Sequence, residues 1–335
     1  MILLGTRDAG PAHYLAKIAE DNPQNFRFIG SRISKPVFKM YGLEEFSGVM
    51  SGMSGFEIIM TGTCLDSGLD KDLVIIGKAN GVTTVSVVDH WTFIKERFTD
   101  EKNHAVIPYH VIVNDDYAMS LAISAGIPSE KVLALGNPVL EFPVFKNNDA
   151  IAKAPAGKVI DSIENGMLLL FISEQLAQDY RAHLYQDEGY DEYRVLEDIC
   201  SILEPEDRVW IKLHPQEDAA KYNNFLSGQV LIADSSIPTG SLLETADWII
   251  GMRSMLLLEA SNMRCDILSY RPGTNSTFIG NKLGVTLAIE DKNMLKKVLR
   301  GKIKVKNSSI MALFKGSTTR IRAFLDHMAS CEVSE

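Results

Sequence analysis

Short runs of consecutive apolar residues alternate along the chain with stretches in which apolar residues recur every three or four positions. The first pattern is typical of strands buried on both faces, and the second of helices that bury one face. In the first part of the chain, the pattern predicts strands over residues 2–5, 26–30, 57–61, 82–88, 110–113 and 132–135. It predicts intervening helices over residues 12–20, 71–80 and 118–125. This alternation indicates a parallel sheet covered by helices on both faces.

The alternation stops at Gly136-Asn137-Pro138 and resumes after Gly166. The second series predicts strands over residues 167–172, 209–213, 230–232, 248–250 and 266–269. Its helices are predicted over residues 190–203, 219–225 and 255–263, with a last helix over 310–329. We therefore predict two α/β domains, residues 1–140 and 167–309, joined by a linker over 141–166. The C-terminal segment, residues 310–335, is expected to pack back on the first domain as a helix.

Composition narrows the class of protein. With 335 residues, the chain is long enough for two such domains. A net charge of −9 argues against nucleic acid as a partner, because binding a phosphate backbone needs a basic field. A small phosphorylated ligand needs only a few local groups and stays compatible with this charge. The cysteines lie far apart, and the chain has neither a signal peptide nor an apolar run of membrane-spanning length, so we expect a cytoplasmic protein.

Residues that follow strands are the candidates for chemistry, because ligands bind beyond the carboxyl ends of parallel strands. In the first domain, the turn Gly5-Thr6-Arg7-Asp8-Ala9-Gly10 follows the first strand. Arg7 is suited to phosphate or carboxylate, and Gly10 lets the backbone approach a ligand. The turn lacks the Gly-x-Gly-x-x-Gly spacing of dinucleotide sites.

Asp89 and His90 follow the strand over 82–88 and precede Trp91, an arrangement that suits a general base. The alternative is that Asp89 caps a helix starting near Thr92, with His90 packed against Trp91. The candidate catalytic bases are Asp8, Asp89 and His90.

The second domain offers candidate ligand-binding residues at three further strand ends. Ser254 is a predicted helix N-cap, and Glu259 lies within the helix that it starts, among apolar neighbours. Asp187-Glu188-Gly189 is predicted to be a solvated loop. No Asp-x-Asp stands at a strand end, so no metal site is predicted. The candidate binding residues are Ser173, Glu174, His214, Pro215, Arg253, Ser254 and Glu259.

Three stretches resemble glycosyltransferases with the GT-B fold, which consists of two Rossmann-like domains facing across a cleft. Residues 111–141, VIVNDDYAMSLAISAGIPSEKVLALGNPVLE, resemble the segment that closes the first domain of that fold. Residues 210–218, WIKLHPQED, resemble the His-Pro motif of bacterial sialyltransferases, Kdo transferases and CDP-glycerol glycerophosphotransferases. Residues 242–273, LLETADWIIGMRSMLLLEASNMRCDILSYRPG, resemble their serine-containing loop and donor-binding helix.

The resemblance implies that His214 and Ser254 contact the nucleotide phosphates of a donor, and that Glu259 lies near its ribose. The function expected first is transfer of a sugar or polyol phosphate from a CMP-, CDP- or UDP-linked donor to a glycan or lipid-linked hydroxyl. This transfer would be metal-independent, need no cofactor beyond the donor, and use a base from the first domain. The acidic-acidic-Gly motif that carries the base in several sialyltransferases has no counterpart in the first domain.

The non-hydrolysing UDP-N-acetylglucosamine 2-epimerases share this fold, and Gly5-Thr6-Arg7 resembles their opening motif, which implies a phosphate contact for Arg7. That family continues with Pro-Glu where this chain has Asp8-Ala9. Its His-Gly-Asp-Thr and Asp-Ser-Gly-Gly motifs have no match in this sequence. Epimerisation is therefore the first alternative, and a non-catalytic nucleotide-sugar-binding protein is the second.

A basic segment runs from Lys292 to Lys306, where seven of fifteen residues are Lys or Arg. The simpler interpretation is a solvated helix face followed by an edge strand. The alternative is a weak peripheral contact with the anionic inner face of a membrane, where lipid-linked acceptors lie.

Overall fold

The fold is described from a computed structural model of the chain. It describes residues 1–48, 53, 55–65, 68–142, 166–182, 186–214, 217–264, 266–301, 303 and 305–331. The chain divides into two compact units, called unit 1 (Met1–Phe142 with Phe314–Glu335) and unit 2 (Pro143–Leu313). Most of the expected linker, residues 143–165, lies outside the described residues.

Unit 1 is built on a seven-stranded parallel sheet with the strand order β3-β2-β1-β4-β5-β6-β7. The strands are β1 (Ile2–Thr6), β2 (Phe26–Gly30), β3 (Glu44–Glu45), β4 (Ile58–Thr61), β5 (Thr83–Val88), β6 (His110–Val113) and β7 (Val132–Ala134). The helices before the interruption are α1 (Ala9–Ala19), α2 (Lys35–Met40), α3 (Leu69–Ala79), α4 (Ile94–Arg97), α5 (Asp116–Ser124) and α6 (Pro138–Glu141).

Unit 2 repeats this plan with a six-stranded parallel sheet in the order β10-β9-β8-β11-β12-β13. Its strands are β8 (Leu168–Ile172), β9 (Arg208–Lys212), β10 (Val230–Ile232), β11 (Trp248–Gly251), β12 (Ile267–Tyr270) and β13 (Leu287–Ile289). The helices that follow in unit 2 are α7 (Leu176–Arg181), α8 (Glu192–Cys200), α9 (Thr239–Thr245), α10 (Met255–Ala260), α11 (Ile279–Lys282), α12 (Lys292–Leu299) and α13 (Ile310–Phe314). The last helix, α14 (Ser317–Cys331), belongs to unit 1.

Both sheets reverse their strand order in the middle, between β1 and β4 in unit 1 and between β8 and β11 in unit 2. In open α/β sheets, ligands bind outside the carboxyl ends of the strands at such a reversal. The sheet order therefore selects two places in the chain: the loops after β1 and β4, and the loops after β8 and β11.

Each strand that the apolar pattern predicts is present, and its ends agree within one residue. The pattern missed β3 and β13, which are only two and three residues long. The helix predicted over 190–203 is wrong in extent: α8 begins later, because the Asp191 carboxylate caps the amides of Tyr193 and Arg194. The helix predicted over 219–225 is a short 3₁₀ turn, Ala219–Tyr222.

The helix predicted over 310–329 is two helices, α13 and α14, separated at Lys315 and Gly316. The backbone of Gly316 has φ +81, a left-handed conformation that interrupts a helix and favours glycine. In α14, Ile321 and Leu325 are buried in the core of unit 1. The C-terminal helix therefore packs on the first unit, as predicted.

The acidic side chain of Glu141 fastens the start of α14 to the rest of unit 1. Its carboxylate accepts hydrogen bonds from the Gly316 amide at 2.5 Å and the Thr318 amide at 2.9 Å. The Thr318 hydroxyl donates a third at 3.0 Å. A helix start has amides without intrahelical partners and a partial positive charge, so a buried carboxylate is a strong cap.

The basic segment after Lys292 has partners within unit 2. Lys292 Nζ lies 3.4 Å from Asp198 Oδ1, and Arg300 Nη2 lies 2.7 Å from Asp207 Oδ2. α12 also buries Leu295 on its inner face. Lys302 and Lys304 lie outside the described residues. Contact of this segment with a membrane stays a prediction, and in the part of the chain that is described no helix is long and apolar enough to span one.

Replacing Glu141 by alanine should lower the free energy of unfolding by about 1–3 kcal/mol, because the buried donors of α14 lose their acceptor. Thermal unfolding followed by circular dichroism measures this change. Glu130→Ala, at an exposed glutamate of unit 1, is the matched control and should leave the melting temperature nearly unchanged. Equal melting temperatures for the two variants would contradict the capping role of Glu141.

Candidate functional site

In unit 1, the loop after β1 meets the loop after β5. Asp8 stands at the N-cap position of α1, but its carboxylate does not bond to an amide of the first turn. Gly10 lies beside Asp89: a Cβ on Gly10 would be 3.1 Å from Asp89 Oδ2. Glycine at this position leaves room for the Asp89 carboxylate. The structure thus brings together Asp8, Gly10 and Asp89, three of the residues that the sequence singled out.

Asp89 is a partly exposed carboxylate with one cationic neighbour. Arg97 Nη1 lies 3.8 Å from Asp89 Oδ1, and the same guanidinium donates to the carbonyl oxygens of Thr63 at 2.5 Å and Thr92 at 3.1 Å. Burial raises the pKa of Asp89 although the Arg97 charge opposes it, and the negative charges of Asp8 and Asp70 add to the rise. A group of this kind exchanges protons closer to neutral pH than an ordinary aspartate.

Asp89 is not a helix cap, which corrects the alternative drawn from the sequence. The next helix, α4, begins at Ile94, and its N-cap residue is Phe93 in a left-handed conformation without a side-chain cap. His90 Nδ1 bonds to the Thr92 hydroxyl at 2.8 Å. Trp91 is buried and donates its indole N–H to the Asp115 carboxylate at 3.0 Å, which fixes the chain after Asp89.

Asp70, the second residue of α3, is the functional candidate in unit 1 that the sequence analysis did not select. It is only 4% exposed, and its Oδ2 accepts the Arg7 amide at 3.4 Å. Among the described residues, its Oδ1 has no hydrogen-bond partner. Burial raises the pKa of Asp70, and the charge of Asp8 adds to this effect. This contact joins the loop after β1 to the helix that follows β4, on the two sides of the reversal in strand order.

Space for the Asp70 carboxylate depends on Gly62, directly after β4. A Cβ on Gly62 would lie 2.4 Å from Thr6 Oγ1 and 3.0 Å from Asp70 Oδ1. Cys64 is buried in the same place, and burial raises the pKa of its thiol, helped by the charge of Asp70. The thiol is therefore protonated and a poor nucleophile. One feature of the sequence could have identified Asp70: Gly62 comes directly after a strand, and Asp70 follows it by eight residues at the start of a helix.

In unit 2, Glu174 bridges the reversal between β8 and β11. Its Oε1 accepts the amide of Met252 at 3.2 Å and that of Arg253 at 2.8 Å, and the Arg253 Nε lies 4.0 Å from Oε2. Burial raises the pKa of Glu174 to about 7, against the pull of these donors. These two amides of the loop after β11 therefore have an acceptor from the chain itself.

Ser254 is the N-cap of α10, as predicted: its hydroxyl accepts the Leu256 amide at 3.2 Å. Glu259, one turn further along, is half-buried. Burial alone raises its pKa to about 7, and its carboxylate forms no hydrogen bond or ion pair with any residue that the structure describes. A carboxylate held away from water without a protein partner is suited to accept hydroxyl donors from a ligand.

His214 lies just beyond the end of β9, and Ser173 just beyond the end of β8; each is bound to Glu217. Desolvation lowers the pKa of His214, while the Glu217 charge raises it in part. Pro215, the other residue of the predicted His-Pro pair, lies outside the described residues.

In the loop Asp187-Glu188-Gly189, Asp187 and Gly189 are exposed as predicted, but Glu188 is bonded within unit 2, which corrects the expectation for that residue. Glu188 accepts hydrogen bonds from Arg271 Nη2 at 2.8 Å, Thr274 Oγ1 at 2.9 Å and Ser276 Oγ at 2.7 Å. Burial would raise its pKa, but these donors outweigh burial and lower it. Arg253 Nη1 lies 3.7 Å from the same carboxylate. Sequence analysis missed Arg271, which follows β12 directly.

The described residues contain no group of three or more His, Cys, Asp or Glu side chains arranged to hold a metal ion. Carboxyl groups with raised pKa values are suited to proton transfer, and the side chains of Arg7, Arg253 and His214 are suited to anion binding.

Comparison with known proteins gives a likeness in structure. No family model matches the sequence, and no curated protein matches it. UDP-GlcNAc 2-epimerase from Neisseria meningitidis, bound to UDP-GlcNAc, matches with a TM-score of 0.68 at 13% identity, over 98% of this chain and 100% of that chain. The UDP-GlcNAc 2-epimerase from Methanocaldococcus jannaschii, in complex with UDP-GlcNAc and UDP, matches with a TM-score of 0.62 at 15% identity, over 97% and 99%. Anabaena Alr3699/HepE in complex with UDP-glucose matches with a TM-score of 0.68 at 11% identity, over 99% and 100%.

At these identities the likeness concerns the fold, and it confirms the prediction of two Rossmann-like α/β units. The prediction of glycosyl transfer is contradicted, because UDP-GlcNAc 2-epimerases recur among the similar structures and favour the first alternative. The similar structures do not support the resemblance to the sialyltransferase and Kdo transferase group. The physical reason is that both reactions require binding of a nucleotide diphosphate, so a resemblance to phosphate-binding motifs does not distinguish between them.

The pH dependence of stability tests directly whether the Glu259 carboxyl group is buried without a partner. Its pKa in the folded state, about 7, lies above the value of 4.5 expected in the unfolded chain. The folded protein therefore binds more protons between these values, so Glu259 lowers stability progressively as the pH rises from 4.5 to 7. Glu259→Gln removes this effect and should stabilise the protein at pH 8 by about 1–3 kcal/mol, with a much smaller gain at pH 5.

Melting temperatures of both proteins at pH 5 and pH 8 measure this difference. Glu244→Gln, at an exposed glutamate of α9, is the matched control and should give no pH-dependent gain. A gain for Glu259→Gln that is equal at the two pH values would contradict a buried, partnerless carboxyl group.

Proposed function

We propose that this chain is a non-hydrolysing epimerase that inverts C2 of a UDP-linked 2-acetamido sugar. The observation that carries the proposal is the group of carboxylates Asp8, Asp70 and Asp89 at the strand ends of unit 1, in which Asp70 and Asp89 have raised pKa values. The UDP-sugars bound by the structurally similar proteins support the substrate class.

Inversion at C2 needs a hydrogen removed from one face of that carbon and returned on the other. The C2 hydrogen of an intact sugar is not acidic, since no carbonyl lies next to it. Removal becomes feasible when a base takes the hydrogen as a proton while the C1–oxygen bond to UDP breaks, which leaves a C1–C2 double bond and free UDP. Re-addition of UDP to C1 with a proton delivered to the opposite face of C2 gives the epimer, without oxidation or a second substrate.

The first unit supplies groups for the proton transfers. Asp89 is our choice for the base, because its raised pKa increases its proton affinity and Arg97 holds its orientation at 3.8 Å. Asp8 and His90 are the further candidates for returning the proton, on account of their positions beside Asp89. Arg7 would contact phosphate, next to the close backbone approach that Gly10 permits.

The second unit supplies groups for the nucleotide. His214 and Arg253 would bind the diphosphate and stabilise the charge on the leaving UDP, which lowers the barrier to C1–oxygen cleavage. Glu259 would accept the ribose hydroxyls, since its carboxylate lacks a partner among the described residues. Ser173 and Glu174 act in this proposal as supports of these loops, through their bonds to Glu217 and to the Arg253 amide.

The decisive experiment incubates the protein with UDP-GlcNAc alone in D₂O and follows the sugar by NMR. We expect a second epimer and deuterium at C2, with no acceptor present. Asp89→Asn should slow both by at least about 100-fold, because it removes the base. Asp72→Asn, an exposed aspartate on α3, is the matched control and should retain wild-type rates.

Two results would overturn the proposal. Binding of UDP in a thermal-shift assay without any deuterium at C2 would identify the protein as a non-catalytic nucleotide-sugar-binding protein. The absence of binding to UDP and to UDP-sugars would exclude this substrate class altogether. Full deuterium incorporation by Asp89→Asn would show that the base has been misassigned.

A further inference from the structure

A buried carboxylate, Glu217, joins the loop that follows β9 to the end of β8. One oxygen, Oε1, accepts hydrogen bonds from Ser173 Oγ at 2.7 Å and Lys221 Nζ at 2.7 Å. The other, Oε2, accepts the backbone amide of His214 at 2.6 Å. The Glu217 side chain is 1% exposed, so these are bonds to a charge removed from water. Charge-assisted bonds of this kind are stronger than neutral ones.

The contact between Glu217 and His214 is made from both ends. The His214 amide donates to the Glu217 carboxylate, and the Glu217 amide donates at 3.0 Å to the His214 carbonyl oxygen. These two bonds hold the backbone amide and carbonyl groups of His214 against Glu217. His214 is exposed at the surface. The buried Glu217 side chain thus holds in place the backbone from which the exposed His214 side chain extends.

The ion pair with Lys221 reduces the energetic cost of burying the Glu217 carboxylate. The Lys221 ammonium also bonds to Glu192 Oε1 at 2.6 Å, and the side chain of Glu192 is likewise 1% exposed. Burial disfavours the charged form of Lys221. The hydrogen bonds that Lys221 donates to the two glutamates outweigh this effect of burial and raise the pKa of Lys221. Two buried carboxylates therefore share one ammonium, and the set retains a negative charge next to His214.

That remaining charge acts on the His214 ring. Desolvation lowers the pKa of His214, and among the charged groups around the ring Glu217 has the largest effect, which raises it. Asp179 adds to this rise, and Lys212 and Lys221 oppose it. Protonated imidazole donates from both nitrogens and carries a positive charge, the form best suited to a diphosphate.

We propose that Glu217 is the positioning residue for His214: it fixes the backbone of His214 and holds the imidazole ready to bind a diphosphate. This inference rests on the proposed function, in which His214 meets the nucleotide. It assigns a role to a residue that follows His214 by three positions and that neither the motif nor the strand ends selected. Glu217 itself touches no substrate and acts through His214.

Two measurements test this role. The first is the pKa of His214 in the ligand-free protein, from an NMR titration of the imidazole, with His214→Gln identifying its signal. The second is the affinity for UDP by calorimetry. Glu217→Gln should lower the His214 pKa, because a raising charge is lost, and weaken UDP binding by at least about tenfold. In turnover, the KM for the UDP-sugar should rise more than kcat falls.

Two further variants separate positioning from general damage. Asp218→Asn alters the neighbouring cap of the 3₁₀ turn, where Asp218 accepts the Ala220 amide at 2.9 Å, and leaves the Glu217 carboxylate in place. It should leave the His214 pKa and the UDP affinity at wild-type values. Ser173→Ala removes one donor to Glu217 but keeps every charge, so it should weaken UDP binding less than Glu217→Gln and serves if that variant fails to fold.

An unchanged His214 pKa in Glu217→Gln, or an equal change in Asp218→Asn, would overturn the inference. Wild-type affinity for UDP in a folded Glu217→Gln protein would overturn it as well. If the wild-type protein binds no UDP, the proposed function fails, while the titration of His214 in the ligand-free variants still decides whether Glu217 controls it.

Discussion

A parallel sheet with helices on both faces leaves almost no place for charge except at the ends of its strands. In this chain the constraint acts twice, because each unit buries its strands completely in the middle of the sheet. Loops at the reversal of strand order therefore receive the polar side chains, and the same burial that protects the sheet also desolvates them. Burial is the main cause of the raised pKa values of Asp89 and Glu174.

Desolvated carboxylates in the two units differ in whether the protein itself compensates them. Glu217 and Glu192 share the Lys221 ammonium, and Glu188 has Arg271, so these groups hold loops in place. Glu259, by contrast, forms no bond with any described residue, and one oxygen of Asp70 likewise lacks a partner. Carboxylates of the first kind give rigidity, whereas those of the second kind are destabilising unless a ligand or proton satisfies them.

Sequence alone predicted the strands well, because a strand buried on both faces leaves an uninterrupted apolar run such as 168–172. It also predicted the Ser254 cap, which depends only on local chain geometry. It failed for Glu188, whose main partner, Arg271, lies 83 residues away, since pairing across such a distance is decided by the sheet order. Asp70 was missed for the same reason: as a helix-start residue it looks ordinary until Gly62 and Arg7 are brought beside it. The roles of the candidate site residues stay predictions.

The error in the expected reaction has a physical origin. Group transfer and epimerisation of a nucleotide sugar both begin with the same task, which is to bind a diphosphate and stabilise it as a leaving group. His214 and Arg253 are proposed for that shared task, so a likeness confined to such residues leaves the reaction open. What separates the two reactions is the proton that the base removes, from an acceptor hydroxyl in one case and from C2 of the sugar in the other. Because carbon gives up its proton less readily than oxygen does, the proposed epimerisation would depend on the carboxyl groups around Asp89, where burial raises proton affinity.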